Sequence, residues 1–182
     1  MFAKVLVPTD FSSYADAVLH CIQGIPGIRE VVLLHVAPWS SDVSARKATT
    51  ENLRGQLSRY EEELRKGGLE VSSLVLTTPA AGSISETILR VAREENVSLI
   101  LIGARGKGII RGILLGSVSS EIVRRAPADV LIMRHKVLET LEGVRYEKFC
   151  PRIYAKILIP TDFSDASRRS LALLDDLPGV GE

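Results

Sequence analysis

Val97-Ser98-Leu99-Ile100-Leu101-Ile102-Gly103-Ala104-Arg105-Gly106 passes from an apolar run straight into glycines, and after nine intervening residues the chain reaches Gly116-Ser117. The apolar run has the continuous hydrophobicity of a strand buried on both faces. An amphipathic helix is expected to open at Ser117 and run to about Arg125. Strand, glycine loop and helix in that order bring the free N–H groups of a helix start to the loop, facing any anion held there. The spacing Gly-x2-Gly-x9-Gly-Ser therefore reads as a phosphate cradle.

It is neither of the two commonest phosphate loops. A Walker A loop follows its last glycine with Lys and then Ser or Thr, whereas Gly108 is followed by Ile109-Ile110. A dinucleotide fingerprint would sit after the first strand, but that strand ends in Pro8-Thr9-Asp10-Phe11-Ser12, without glycine.

Outward from this stretch, short β-branched runs at 3–8, 30–36, 70–77, 97–102 and 129–134 alternate with helical patterns at 12–24, 42–67, 83–95 and 117–126. Such alternation predicts an α/β fold: a Rossmann-like open five-stranded parallel sheet flanked by helices, with 31–34 and 99–102 in central strands. Ser83-Ile84-Ser85-Glu86 is a capping box, so the third helix starts there. In the second helix Glu61 precedes Arg65, and Glu62 precedes Lys66, at the favourable four-residue spacing, and Gly67-Gly68 closes it. That charged face reads as solvated surface.

With 182 residues and a net charge of +1, the chain can bury one full core and offers no charge excess to attract nucleic acid or an anionic membrane. No segment approaches the roughly 20 apolar residues of a membrane-spanning helix, and the start lacks a signal-peptide pattern. A cytoplasmic protein is expected. Cys21, on the apolar side of a helix, and Cys150, in a polar stretch, have no metal or redox spacing, so a reduced pair is expected.

The chain also repeats itself. A shift of 152 residues lays Ala155-Lys156-Ile157-Leu158-Ile159-Pro160-Thr161-Asp162-Phe163-Ser164 over Ala3 to Ser12, and the same offset sets Leu171 on Leu19 and Pro178-Gly179 on Pro26-Gly27. A register held through strand and helix indicates duplication. The expected organisation is a first domain over 1–135, a linker over 136–153 with one helical turn, and the first strand and helix of a second, truncated domain over 154–182. About 29 residues cannot by themselves bury enough apolar surface to offset their ordering entropy, so the fragment needs a host.

Gly103-x2-Gly106-x9-Gly116-Ser117 resembles the nucleotide-binding signature of the universal stress protein family. The resemblance extends to Lys4-Val5-Leu6-Val7-Pro8-Thr9-Asp10-Phe11-Ser12, to Val31-Val32-Leu33-Leu34-His35-Val36 and to Ala128-Asp129-Val130-Leu131-Ile132-Met133, and covers about residues 1–135. It implies the family's adenine-nucleotide-hydrolase-like fold and an ATP-binding regulatory module of the stress response, here of tandem type, holding ATP, ADP or AMP with Mg2+. It also implies a homodimer, formed through the apolar edge strand Val130–Met133. A further protein partner is expected, its identity unwritten in the residues.

Ligands of open parallel sheets bind beyond the carboxyl ends of the strands where the strand order reverses, and three segments converge there. Pro8, Thr9 and Asp10 end the first strand. Asp10 can accept from ribose hydroxyls or help hold Mg2+ through water, and backbone near Thr9 can meet the base. Val36 ends the second strand beside the adenine. Gly103, Arg105, Gly106, Gly116, Ser117 and Val118 form the third segment. There Gly103 and Gly106 allow close approach and unusual dihedrals, Gly116 admits phosphate, Ser117 caps the helix and donates its hydroxyl, and Arg105 and Lys107 supply charge. The plainer alternatives are that the glycines only make turns and that Asp10 only stabilises its own turn.

No catalytic residue is assigned. Phosphoryl transfer needs a group that orients the nucleophile; His35, within or beside a buried strand, reads as a structural residue and not a general base, while His20 and His135 have no acid or nucleophile at a telling spacing. Slow ATP hydrolysis at most is expected. The alternatives are a Mg-dependent ATPase or nucleotide-transferring enzyme, and a ligand-free dimeric scaffold.

Overall fold

The computed structural model describes residues 2–104, 115–134, 137–140, 143–146, 156–172 and 174. Strands β1 (Lys4–Pro8), β2 (Glu30–Ala37), β3 (Glu70–Thr77), β4 (Leu99–Gly103) and β5 (Asp129–Met133) form one sheet in the order β3-β2-β1-β4-β5. Every pairing in it is parallel. The helices between them are α1 (Ser13–Leu19), α2 (Val43–Lys66), α3 (Ile84–Glu94) and α4 (Ser117–Arg125).

Successive residues of a strand face opposite sides of the sheet, and this splits the core in two. Val5, Val7, Val31, Leu33, Leu99 and Leu101 meet Val18 and Leu19 of α1 and Leu57 and Leu64 of α2. Leu6, Val32, Leu34, Ile100 and Ile102 meet Ile88 and Leu89 of α3 and Ile122 of α4. Val31–Leu34 are wholly inaccessible because both of their faces are covered, which is why that run needs no polar alternation. The parallel sheet flanked by helices is thus as expected.

Helix ends follow local chemistry. Ser83 and Glu86 form the anticipated capping box, each side chain accepting the other's backbone N–H at 3.1 Å. Glu61 pairs with Arg65 at 2.9 Å, and Gly68, at φ 86°, takes the chain out of α2. Below the sheet Lys4 binds both Glu30 at 2.8 Å and Glu95 at 2.9 Å, and these hydrogen bonds raise its pKa.

Four expectations are corrected. The helix expected over 12–24 ends at Leu19, and a separate 3-10 turn covers Ile22–Gly24, because Pro26 and Gly27, at φ 86°, turn the chain toward β2. The strand expected from Val97 starts at Leu99. Val97 belongs to the turn out of α3, its N–H donating to Ala92, while Asn96 sits at φ 50°. The stretch expected to hold a helical turn contains instead an antiparallel pair, β6 (Val137–Thr140) with β7 (Gly143–Tyr146). Its β-branched and aromatic residues favour strand. Finally, Cys21 is fully buried and disulfide-bonded, so it is not the reduced thiol expected.

The repeated segment reproduces the turn of its counterpart and not its strand. Residues 157–160 pair with no strand, and α5 (Asp165–Ala172) follows. Leu158 is 91 % exposed where Leu6 is 0 %, so the copy carries core-type residues without a core around them.

Candidate functional site

The strand order reverses between β1 and β4, and there the sheet opens. Their pairing is confined to Val5 with Leu99 and Leu6 with Ile100. On the outer sides pairing runs to the strand ends, as far as Pro8 with Leu34 and Gly103 with Met133. Backbone bonds then carry it one residue further, from Thr9 N–H to Leu34 and from Ala104 N–H to Met133. Each central strand stays joined to its outer neighbour while the two part from each other. This is the crevice that open parallel sheets use for ligands.

One wall is the turn after β1. Thr9 Oγ1 accepts the N–H of Phe11 at 3.1 Å, Asp10 Oδ1 accepts that of Ser12 at 3.0 Å, and Ser12 Oγ caps α1 by accepting from Ala15 at 3.3 Å. Phe11 takes φ 56°, the left-handed region that side chains seldom adopt. Asp10 therefore does stabilise its own turn. Thr9 is buried and its carbonyl accepts a hydrogen bond from His35 Nδ1 at 2.8 Å. His35 thus has a structural partner, and that bond defines Nδ1 as protonated. Val36 lies one residue before the end of β2 with its side chain buried in the core shared with α3 and α4.

The other wall is the start of α4. Gly116 N–H donates to the carbonyl of Ala104 at 2.8 Å, and Ser119 Oγ donates to that of Gly103 at 2.9 Å, so the helix start is fastened to the end of β4. Gly116 is the N-cap, with φ −67° and ψ 161°, and no side chain caps the helix. This corrects the placement of the cap at Ser117, which is the first helical residue. Gly103 does not have the unusual dihedrals expected of it, since among the described residues only Gly27 and Gly68 are glycines with positive φ. Gly116 itself carries no side chain, and no side chain caps the start of the helix. Arg105, Gly106 and Lys107 lie outside the described residues.

Further along α4, the Ser85 hydroxyl of α3 donates to Glu121, which also pairs with Arg125 at 2.7 Å. The serine bond first, and the arginine after it, hold the Glu121 carboxyl below its usual range. Among the described residues no group of three or more His, Cys, Asp or Glu is arranged to hold a metal.

Two features were missed in the sequence. Trp39, two residues beyond β2, is 48 % exposed at the same edge of the sheet, its N–H held by Thr78 Oγ1 at 3.0 Å. An aromatic residue just past an expected strand end was the available signal. The second is Phe11, whose part the sequence alone does not reveal. Its ring lies 4.7 Å from that of His35 and 6.0 Å from that of Tyr60, centroid to centroid.

A five-stranded parallel sheet in this order, flanked by helices, defines an open α/β Rossmann-like fold. Residues 1–134 match the model of the universal stress protein family, and the chain belongs to that family. A universal stress protein of Methanocaldococcus jannaschii is 27 % identical over 161 residues, covering 75 % of this chain and 97 % of the relative. The solved structure under the same designation superposes with a TM-score of 0.67 at 28 % identity, over 75 % of this chain and 98 % of that one. A universal stress protein of Archaeoglobus fulgidus, solved in complex with dAMP, shares the fold with a TM-score of 0.54 at 21 % identity, over 72 % of this chain and 97 % of its own. Another, solved in complex with cAMP, has a TM-score of 0.55 at 21 % identity, over 73 % and 97 % of the two chains. No helix among the described residues is long and apolar enough to cross a membrane.

Proposed function

We propose that this protein binds an adenine nucleotide, ATP or its products ADP and AMP, with Mg2+, and acts as a cytoplasmic regulatory module whose conformation or partner affinity depends on the bound nucleotide. The observation that carries this is the uncapped start of α4, fastened by Gly116 to the end of β4 where β1 and β4 part. Phosphate would lie against the N–H groups of Ser117, Val118 and Ser119 with Gly103 and Gly116 leaving room, Arg105 and Gly106 completing the loop. Pro8, Thr9 and Asp10 would receive ribose and base, Asp10 reaching Mg2+ through water, with Val36 beneath. Bound Mg2+ would neutralise phosphate charge. The family members that hold dAMP and cAMP support an adenine nucleotide as the occupant.

Hydrolysis, where it occurs, is expected to be slow, since no group that orients an attacking water is assigned. Calorimetric titration of nucleotide-free protein with ATP and Mg2+ is expected to show saturable binding near one site per chain. The absence of both heat and thermal stabilisation at millimolar ATP would favour the ligand-free scaffold instead.

The second element of the proposal is a homodimer through β5, the edge strand, where Val130, Leu131 and Ile132 are only half-buried. Light scattering at micromolar concentration is expected to give twice the chain mass, and a monomer only would refute the contact. We further propose that residues 154–182 derive from a second domain of the same kind, making the chain tandem in origin.

A further inference from the structure

The turn that ends β1 occurs twice in this chain, and the two copies separate what its own sequence does from what its surroundings do. In the second copy Thr161 Oγ1 accepts from Phe163 N–H at 3.0 Å, Asp162 Oδ1 from Ser164 N–H at 3.0 Å, and Ser164 Oγ from Ser167 N–H at 3.2 Å. Phe163 stands at φ 62°, against 56° for Phe11. These are the bonds of the first copy, made beside residues 157–160, which form no strand, with Phe163 78 % exposed. The turn's conformation, including its left-handed residue, is therefore set by its own side chains and needs no tertiary support.

The first copy nevertheless has such support, from three elements. His35 on β2 donates from Nδ1 to the Thr9 carbonyl at 2.8 Å. The Phe11 ring lies between the rings of His35 and of Tyr60 on α2, tilted 31° to the first and stacked within 14° of the second. The Tyr60 hydroxyl in turn donates to Asp16 on α1. Burial and then Asp16 hold the Tyr60 pKa above the ordinary phenol range, so the phenol remains a donor.

If the turn forms without these contacts, what they add is its place on the sheet. We propose that His35 is a positioning residue for ligand binding: by fixing the Thr9 carbonyl, with Phe11 and Tyr60 bracing the ring, it sets where the Thr9–Asp10 backbone meets the nucleoside. This rests on the nucleotide reading of the crevice and gives that reading a part outside the glycine loop.

The test compares wild type, His35→Leu and His35→Asn by titration with ATP and Mg2+, with thermal unfolding midpoints measured alongside. His35→Leu, which keeps bulk and loses the donor, is expected to bind about tenfold more weakly, the scale of one hydrogen bond lost with its acceptor stranded. His35→Asn, whose amide nitrogen can donate near the Nδ1 position, is expected to stay within about threefold of wild type. Both variants lose the imidazole packing, so a merely structural role would weaken them together, in step with their midpoints. Equal weakening overturns the proposal, as does unchanged binding by His35→Leu. Should His35→Leu not fold, His35→Met, which also lacks a donor, replaces it under the same criteria. A wild-type protein that gives no binding signal refutes the nucleotide reading itself, and this inference with it. Binding by wild type that His35→Leu retains refutes this inference alone.

Discussion

Gly116→Val should weaken ATP binding by about a hundredfold or more and leave the sheet intact. Gly116 has φ −67° and ψ 161°, in the extended region open to any residue, so valine meets no dihedral penalty there. Its branched side chain would instead stand at the mouth of the α4 N-terminus, where phosphate needs the backbone N–H groups. A hydrogen bond to a charged group contributes about 1.5–3 kcal/mol, so losing two of them gives at least the stated factor. Valine is also a poor N-cap, and the α4 start should lose up to about 1 kcal/mol. Titration beside circular dichroism separates the two effects. Binding retained within about threefold by a folded variant would remove phosphate from this helix start. Gly116→Ala, which adds only one carbon, should fall between.

The sheet was readable in the sequence because two-sided burial leaves its own mark. Val31–Leu34 and Leu99–Ile102 contain no polar residue, and only a strand covered on both faces uses such a run. Ser83 and Glu86 were readable because a capping box needs only those two side chains and one helical turn between them. What depends on backbone angles at a single residue was not. Ser117 has the chemistry of a cap, yet Gly116 is the residue with extended dihedrals before the helix, and composition cannot say where the chain turns. The pair β6 and β7 was hidden by charges, because a two-stranded ribbon alternates weakly and Glu139 and Arg145 dilute its apolar signal.

The site was legible in its segments and not in its assembly. Thr9, Asp10, Gly103 and Gly116 could be named from motifs, but the parting of β1 from β4 is a property of pairing between distant strands. The bracing of Phe11 by His35 and Tyr60 joins residues from three elements, with no periodicity to reveal it. His35 has the structural partner expected of it, a backbone carbonyl engaged by its Nδ1. What that bond does for the turn emerged only from seeing the same turn, at Thr161–Ser164, built without it.

The duplication permits a second test of large effect, in which one substitution is made at equivalent positions of the two copies. Leu6→Ala removes a side chain that is 0 % exposed and packed among residues of β2, β4, α3 and α4. Lost transfer energy and the cavity left behind should together lower stability by about 3–5 kcal/mol, a large part of the total of about 5–15 kcal/mol for a typical domain. Leu158→Ala, at the same place in the repeat, removes a side chain that is 91 % exposed and should change stability by less than about 0.5 kcal/mol. Urea unfolding at equal protein concentration reads both. The contrast follows from one physical fact: β1 becomes a strand because β2 and β4 take up its backbone bonds and bury Val5 and Leu6, whereas among the described residues Ile157 and Leu158 have no such strand partners and stand beside a well-formed turn. If Leu158→Ala proves as costly as Leu6→Ala, the repeat is buried against a host in solution. If the cost grows with protein concentration, that host is a second copy of the chain.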